Sequence, residues 1–342
     1  MFLFIGIWGS RTRKLYAAYQ FFFFTLSGSV LILIAFFSMY LNKGSSSFEF
    51  VLNSFYFEKR EFFYFLLLFF GFSVKIPTLP FHIWLPEAHV EAPTPGSVIL
   101  AGILLKLGSY AILRFLLSSF IYVSHDLIFF LLIIAFLGFV YTSLIALNQI
   151  DIKKIIAYSS IAHMNFSLFG FFCQNILGLN GSFFMMYGHA ITSSALFLGI
   201  GVLYDRYKTR IIYYYSQIAI FMPFFSFFYF IFILSNFGFP GTVNFVGEFL
   251  ITVGGIYISI IIILFSALAL ILSVVYSLFL YNRIFFGFLQ KYWFIRYFCD
   301  LIRLEFYILI LFFFLIIILG FFPNLIFEIS YSNLSKIIII NT

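Results

Sequence analysis

KIPTLPFHIWLPEAHVEAPTPGSVILAGILLKLGSYAILRF, residues 75–115, is the stretch that decides the fold. The apolar run FFYFLLLFFGFSVK stops at Lys75, and prolines at 77, 80 and 86 then remove backbone donors and bend the path of any helix that continues. Past the last proline a second apolar run, 96–117, carries Lys106 about ten residues from its start, too deep for the side chain to reach the interface easily. A charged side chain at the bilayer centre costs roughly 2.5 to 3.5 kcal/mol on insertion scales. Two such lysines around a proline-broken helix therefore point to a membrane bundle with a polar interior.

The rest of the chain agrees. Of 342 residues, 64% are hydrophobic and 9% charged, where soluble domains carry about one quarter charged residues. Apolar runs of roughly 20 residues, enough for a helix to cross about 30 Å of hydrocarbon, recur along the whole length. The period-two alternation of a transmembrane barrel does not occur, and helices are the other way to satisfy a backbone in lipid. The expected fold class is all-α: a polytopic transmembrane bundle with spans at 17–41, 61–90, 96–117, 126–148, 151–172, 177–203, 217–257, 258–282 and 304–322. The second is broken near 76–90, and the seventh near 236–247 by Pro240 with Gly238 and Gly241, so each is expected to form two half-helices.

Nine crossings place alternate connections on opposite sides of the membrane. One side then collects Arg11, Arg13, Lys14, Lys153, Lys154, Arg206, Lys208, Arg210, Arg283, Lys291, Arg296 and Arg303; the other receives Lys43, Lys59, Arg60, Arg114 and Lys336. Basic residues concentrate on the cytoplasmic or matrix side, so this split supports the span count and puts the N-terminus on the matrix-like side. The net charge of +7 has that origin and gives no nucleic-acid site. Cys173 and Cys299 are too few for an iron–sulfur cluster and give no disulfide framework. Residues 8–14 are polar ahead of the first long apolar run, unlike a cleaved signal peptide, so the chain is expected to insert where it is made. Phenylalanine at 57 positions is more than packing in lipid requires and suggests a T-rich, organellar gene.

Five ionisable residues fall inside spans: Lys75, Lys106, His163 in IAHMN, His189 in YGHAITSSALF, and Glu248 in PGTVNFVGEFL just after the second break. At 1.5 Å per residue all five project to a similar mid-membrane depth. Lysines and a glutamate bracketing histidines that titrate near neutral pH form a horizontal proton relay, and the broken helices supply polar, hydratable points at the midplane. Plainer readings exist for each: a snorkelling Lys75, a structurally paired Lys106, hydrogen-bonded interior histidines, and a neutral, hydrogen-bonded Glu248. Five together in a chain this poor in charge favour the relay. The segment HIWLPEAHVEAPTPG adds His82, Glu87, His89 and Glu91, which read as an interfacial polar cap or a point of proton uptake. Their spacing matches no zinc pattern, and no metal or cofactor site is expected in this chain.

The 75–115 stretch resembles the signature segment of the proton-translocating, antiporter-like subunits of respiratory NADH:ubiquinone oxidoreductase, complex I, of the mitochondrial chain-four type. Further similar segments follow in order: GIWGSRTRK with AAYQFF, NQIDIKKIIAYSSIAHMN, MMYGHAITSSALFLGIGVLYDR and SNFGFPGTVNFVGEF, together reaching to about residue 280. The resemblance implies that Lys75 is the pumping lysine of the first broken helix, that Lys106, His163 and His189 carry the relay, and that Glu248 is its exit-side acid. It implies an antiporter-like inverted-repeat fold in the mitochondrial inner membrane. A truncated first repeat is expected at 17–117, a second at 126–282, and a last span and tail at 283–342. NADH, FMN, iron–sulfur clusters and ubiquinone are expected in other subunits, and the partners are membrane-arm subunits and lipids.

The family carries five helices ahead of the AAYQFF span, the fifth with a glutamate that pairs with the Lys75-type lysine. Here no glutamate precedes Glu49. The expectation is a separate polypeptide that supplies those helices and that acid. The alternatives are a cation/proton antiporter subunit and a structural spacer that no longer pumps.

Overall fold

The computed structural model describes residues 1–9, 11–45, 47–48, 58–287 and 300–328. Glu49, Lys291, Arg296, Cys299, Lys336 and the apolar tail at 337–340 lie outside the described residues. A short helix α1 (Phe2–Trp8) leads to α2 (Lys14–Lys43), α3 (Glu58–Lys75), α4 (Trp84–Glu91), α5 (Thr94–Leu117), α6 (Ile121–Asp126), α7 (Ile128–Leu147), α8 (Ile152–Phe172), α9 (Ile176–Tyr207), α10 (Pro223–Asn236), α11 (Val243–Ile256), α12 (Ile260–Phe285) and α13 (Arg303–Phe321). Seven of these, α2, α5, α7, α8, α9, α12 and α13, are long and apolar enough to cross a membrane. Among the described residues the broken pairs α3/α4 and α10/α11 occupy the other two spans read from the sequence, with boundaries within a few residues of those expected.

Helix ends follow local chemistry. α2 stops where Gly44 adopts a left-handed φ of 73°, and α9 starts where Asn175 Oδ1 accepts a hydrogen bond from the Gly178 amide at 2.7 Å. α3 ends at Lys75 because Pro77 and Pro80 follow, the Leu79–Pro80 peptide being cis.

Tertiary contacts respect the sidedness predicted from the basic residues. At one end Arg11 pairs with Asp151 at 3.3 Å, Lys154 with Glu87 at 2.8 Å, and Arg206 with Glu305 at 2.7 Å. Arg210 donates to the Val90 carbonyl, and Asp151 bridges to Ile211. At the other end Arg60 donates to Asn42, Gln174 to Ser124, and Asn175 to the Gly254 carbonyl. Each contact joins segments expected on the same side.

α8 and α9 form the centre. The apolar window of α8 is 94% buried and that of α2 and α13 only 11%, so α8 is ringed by protein while α2 and α13 offer apolar side chains outward. α11 packs on α9 with almost no side-chain separation: a Cβ on Gly181 would meet the Ile251 amide at 2.7 Å, and one on Gly254 would meet the Gly178 amide at 2.6 Å. Small residues at such contacts are how membrane helices gain packing without a hydrophobic driving force. That close approach carries α11, and with it Glu248, into the middle of the bundle.

Two expectations need correction. HIWLPEAHVEAPTPG is split: Trp84–Glu91 is the expected second half-helix, whose Glu87 lies at the interfacial end with Lys154, Arg11 and Asp151, while His89 is fully buried beneath α8 and so does not belong to a polar cap. Lys153, counted with the loop lysines, is completely buried in the first turn of α8 and donates to the Ala92 carbonyl at 2.9 Å. Its neighbour Lys154 points the other way, to Glu87.

Candidate functional site

Four of the five predicted residues converge. His163, in the middle of α8, and His189, in α9, are buried with ring centroids 5.5 Å apart. Glu248, on the second turn of α11, brings Oε1 to 3.6 Å from His163 Nδ1, just beyond hydrogen-bond length. Lys106 lies within electrostatic reach of both histidines and of His89. The order through the bundle is Lys106, His189, His163, Glu248, on four different helices.

The breaks make room for these groups. At the second, Gly238 has φ 68° and Gly241 φ 90°. A Cβ at Gly238 would meet Glu248 Cδ at 2.7 Å, so the carboxyl group occupies the volume that a side chain at 238 would fill. Asn236, the last residue of α10, stands beside His163. Tyr276 of α12, also buried, stands beside Glu248.

Lys106 has a different support. α5 contains two π-helical segments, Leu100–Leu104 and Ile112–Leu117, whose wider turns release carbonyls from the regular ladder. Lys106 Nζ donates to one of them, Ala101 O, at 2.7 Å. The ammonium is thus turned back along its own helix toward the histidines. No carboxylate among the described residues pairs with it.

Lys75 stands apart. It closes α3 half-buried, and the structure ties it to Lys106 through the backbone: a Cβ on Gly108 would meet Lys75 Cβ at 3.1 Å and Ile76 N at 3.0 Å. The first break therefore rests on α5 two residues past Lys106. Among the described residues no acid forms an ion pair with Lys75.

Both ring nitrogens of His89 and His189 are buried and make no hydrogen bond among the described residues; those of His163 make none of good geometry, although Asn236 approaches them, and Glu248 Oε1 is likewise open. Buried polar atoms in that state carry a desolvation cost, and where a native fold keeps them they call for a reason, of which proton exchange is one. A line of them, each able to accept or release a proton, can pass protons from one helix to the next with small side-chain rotations.

The sequence reading missed Lys153, Asn165 and Tyr276, and it placed His89 in the interfacial segment rather than beside the relay. Lys153 had a readable signal, because Lys153, Ser160 and Ser167 share one face of α8 at heptad spacing. His82, Glu87, His89 and Glu91 do not gather round one point: His82 stands edge-on to Tyr141, Glu87 pairs with Lys154, and His89 stacks on Phe197 at 4.5 Å. Among the described residues no group of three His, Cys, Asp or Glu side chains is placed to hold a metal ion.

Residues 1–275 match the family described as NADH:quinone oxidoreductase/Mrp antiporter, TM. The chain is 48% identical over all its 342 residues to NADH-ubiquinone oxidoreductase chain 4 of Chondrus crispus, covering 69% of that protein. Its identity to the protein of the same name in Marchantia polymorpha is 46% over 338 residues, 68% of that protein. Among solved structures it superposes on a chain of respiratory complex I from Thermus thermophilus with a TM-score of 0.93 at 27% identity, covering 100% of this chain and 72% of that one.

Proposed function

The chain belongs to the NADH:quinone oxidoreductase/Mrp antiporter membrane family, and from that membership and its line of buried proton carriers we propose that it is a proton-translocating membrane subunit of respiratory NADH:ubiquinone oxidoreductase. The observation that carries this reading is the buried pair His163 and Glu248, 3.6 Å apart at the second helix break, with His189 against His163.

Protons move in the bilayer plane. A coupling event elsewhere in the complex displaces Lys75 at the first break, the change passes to Lys106 across Gly108, and protons travel through His189 and His163 to Glu248, which releases or relays them. Residues 17–117 belong to one repeat and 126–282 to the second, each with its own broken helix. The electrons run elsewhere: NADH, FMN, iron–sulfur clusters and ubiquinone belong to other subunits, since a chain with two cysteines cannot supply the four thiolates of a cluster. The protein lies in the mitochondrial inner membrane, with the Arg11–Asp151 end toward the matrix. Other membrane-arm subunits and lipids cover α2 and α13. Lys75 takes its counter-charge from a carboxylate outside the described residues.

Glu248→Gln tests the reading. The amide keeps the volume beside Gly238 but cannot carry a proton. The assembled complex is expected to oxidise NADH while moving fewer protons per NADH into liposomes; an unchanged ratio would sink the assignment of Glu248.

A further inference from the structure

Asn165 lies on α8, two residues past His163, with no exposed surface. Its side-chain nitrogen donates to the Ile161 carbonyl one turn back at 2.8 Å, and across to the Pro77 carbonyl at 3.3 Å. Pro77 belongs to the first break, two residues past Lys75, where α3 has ended and helical amides no longer follow in register. The amide is clamped from behind by α7: a Cβ on Gly138 would meet Asn165 Oδ1 at 2.5 Å and Cγ at 2.6 Å. Oδ1 itself is buried without a hydrogen-bond partner among the described residues. A leucine of similar size would fill this space without stranding a polar atom, so packing alone does not account for an asparagine here.

The second break repeats the arrangement. Asn244, in the first turn of α11 and fully buried, donates from Nδ2 to Thr192 Oγ1 at 3.3 Å, three residues past His189 on α9. Its Oδ1 also lacks a hydrogen-bond partner among the described residues and also rests over a glycine, Gly188, whose Cβ would meet it at 2.5 Å. Each broken helix is thus tied by one asparagine, seated on one glycine, to the helix of one histidine.

We infer that Asn165 and Asn244 are positioning residues that latch the two helix breaks to the histidine helices. Movement of the Lys75 break is then carried into α8, where it changes the 3.6 Å gap between His163 and Glu248. The Asn244 latch keeps the Glu248 half-helix and the His189 helix together while that gap changes. This inference rests on the relay reading above, and it adds how the two breaks communicate.

The test reconstitutes the native complex in liposomes and measures protons moved per NADH oxidised, with NADH:ferricyanide activity reporting intact assembly. Asn165→Leu is expected to lower the ratio while the ferricyanide activity stays unchanged. Gly138→Ala, which leaves the asparagine but displaces its amide from Pro77, is expected to lower it too. Asn165→Ala with Gly138→Ala is expected to match Asn165→Ala alone, because both act on one contact. A normal ratio in Asn165→Leu, or additive losses in the double variant, would overturn the latch in favour of plain packing. Should the leucine variant not assemble, Gly138→Ala decides by the same ratio. Lys106→Met run alongside separates the two levels: a loss there with none in the latch variants rejects the latch alone, and no loss there rejects the relay and the latch together.

Discussion

Glu248 can lie against the second break only because position 238 carries no side chain, and the backbone there has the positive φ of 68° that non-glycine residues avoid. Left-handed backbone costs an L-residue roughly 1 to 2 kcal/mol, and the added methyl would also displace a buried carboxyl group. Gly238→Ala is therefore expected to lower the thermal midpoint of the assembled complex and to reduce its proton-to-NADH ratio as Glu248→Gln does. A variant with a lower midpoint and a normal ratio would show that the contact with Glu248 does not matter for transport. At this scale the sequence was readable wherever the argument needed only depth and cost. Lys106, His163, His189 and Glu248 are isolated polar residues in long apolar runs, and four helices bring them together. Lys153 was not readable in that way. Lysines gather near helix ends for reasons of topology, and only the fold decides that Lys153 turns inward to the Ala92 carbonyl while Lys154 turns to Glu87.

Elements that cross the membrane in one piece were legible because apolar length sets their ends. Both broken spans were legible from Pro77, Pro80 and Pro86, and from Gly238, Pro240 and Gly241. The short pieces were not. α1 has seven residues, too few to be stable alone, and holds by packing, with Phe2 against Tyr19 and Phe22 of α2 at ring distances of 5.9 and 5.5 Å. The π segments of α5 carry no composition signal at all. α13 poses a different problem, since within it only Leu309 and Ile316 are buried. Its polar attachment is Arg206, which reaches Glu305 with both guanidinium nitrogens, at 3.1 and 2.7 Å, and the Asp300 carbonyl at 2.9 Å. A charged hydrogen bond of this kind contributes on the order of 2 kcal/mol. Arg206→Ala is expected to make the segment around residue 300 more sensitive to protease in the detergent-extracted complex. Arg206→Glu with Glu305→Arg should restore resistance; failure of the swap would mean that the pair is incidental to holding α13.

The described residues form a bundle whose ends are distinguished by charge and whose middle is distinguished by buried polar groups with unfilled hydrogen-bonding capacity. The basic residues predict one orientation, and among the described residues the Arg11–Asp151 and Arg206–Glu305 pairs each join segments expected on the same side. Lys208, with a side chain 69% exposed, is on the matrix side in this account, and Lys59, just before α3 enters the membrane, is on the other. A membrane-impermeant thiol reagent is expected to label Lys208→Cys only when the matrix face is open and Lys59→Cys only from the opposite face; the reverse pattern would invert the topology. The central claim concerns the middle of the bundle, where Lys106 hands protons to two histidines and Glu248. The measurement that tests it most directly is the number of protons moved per NADH by the reconstituted complex carrying Lys106→Met, a replacement close in length and without a titratable group. The account predicts an assembled, NADH-oxidising complex with a reduced ratio. A normal ratio in that complex would contradict it and leave this subunit a spacer in the membrane arm.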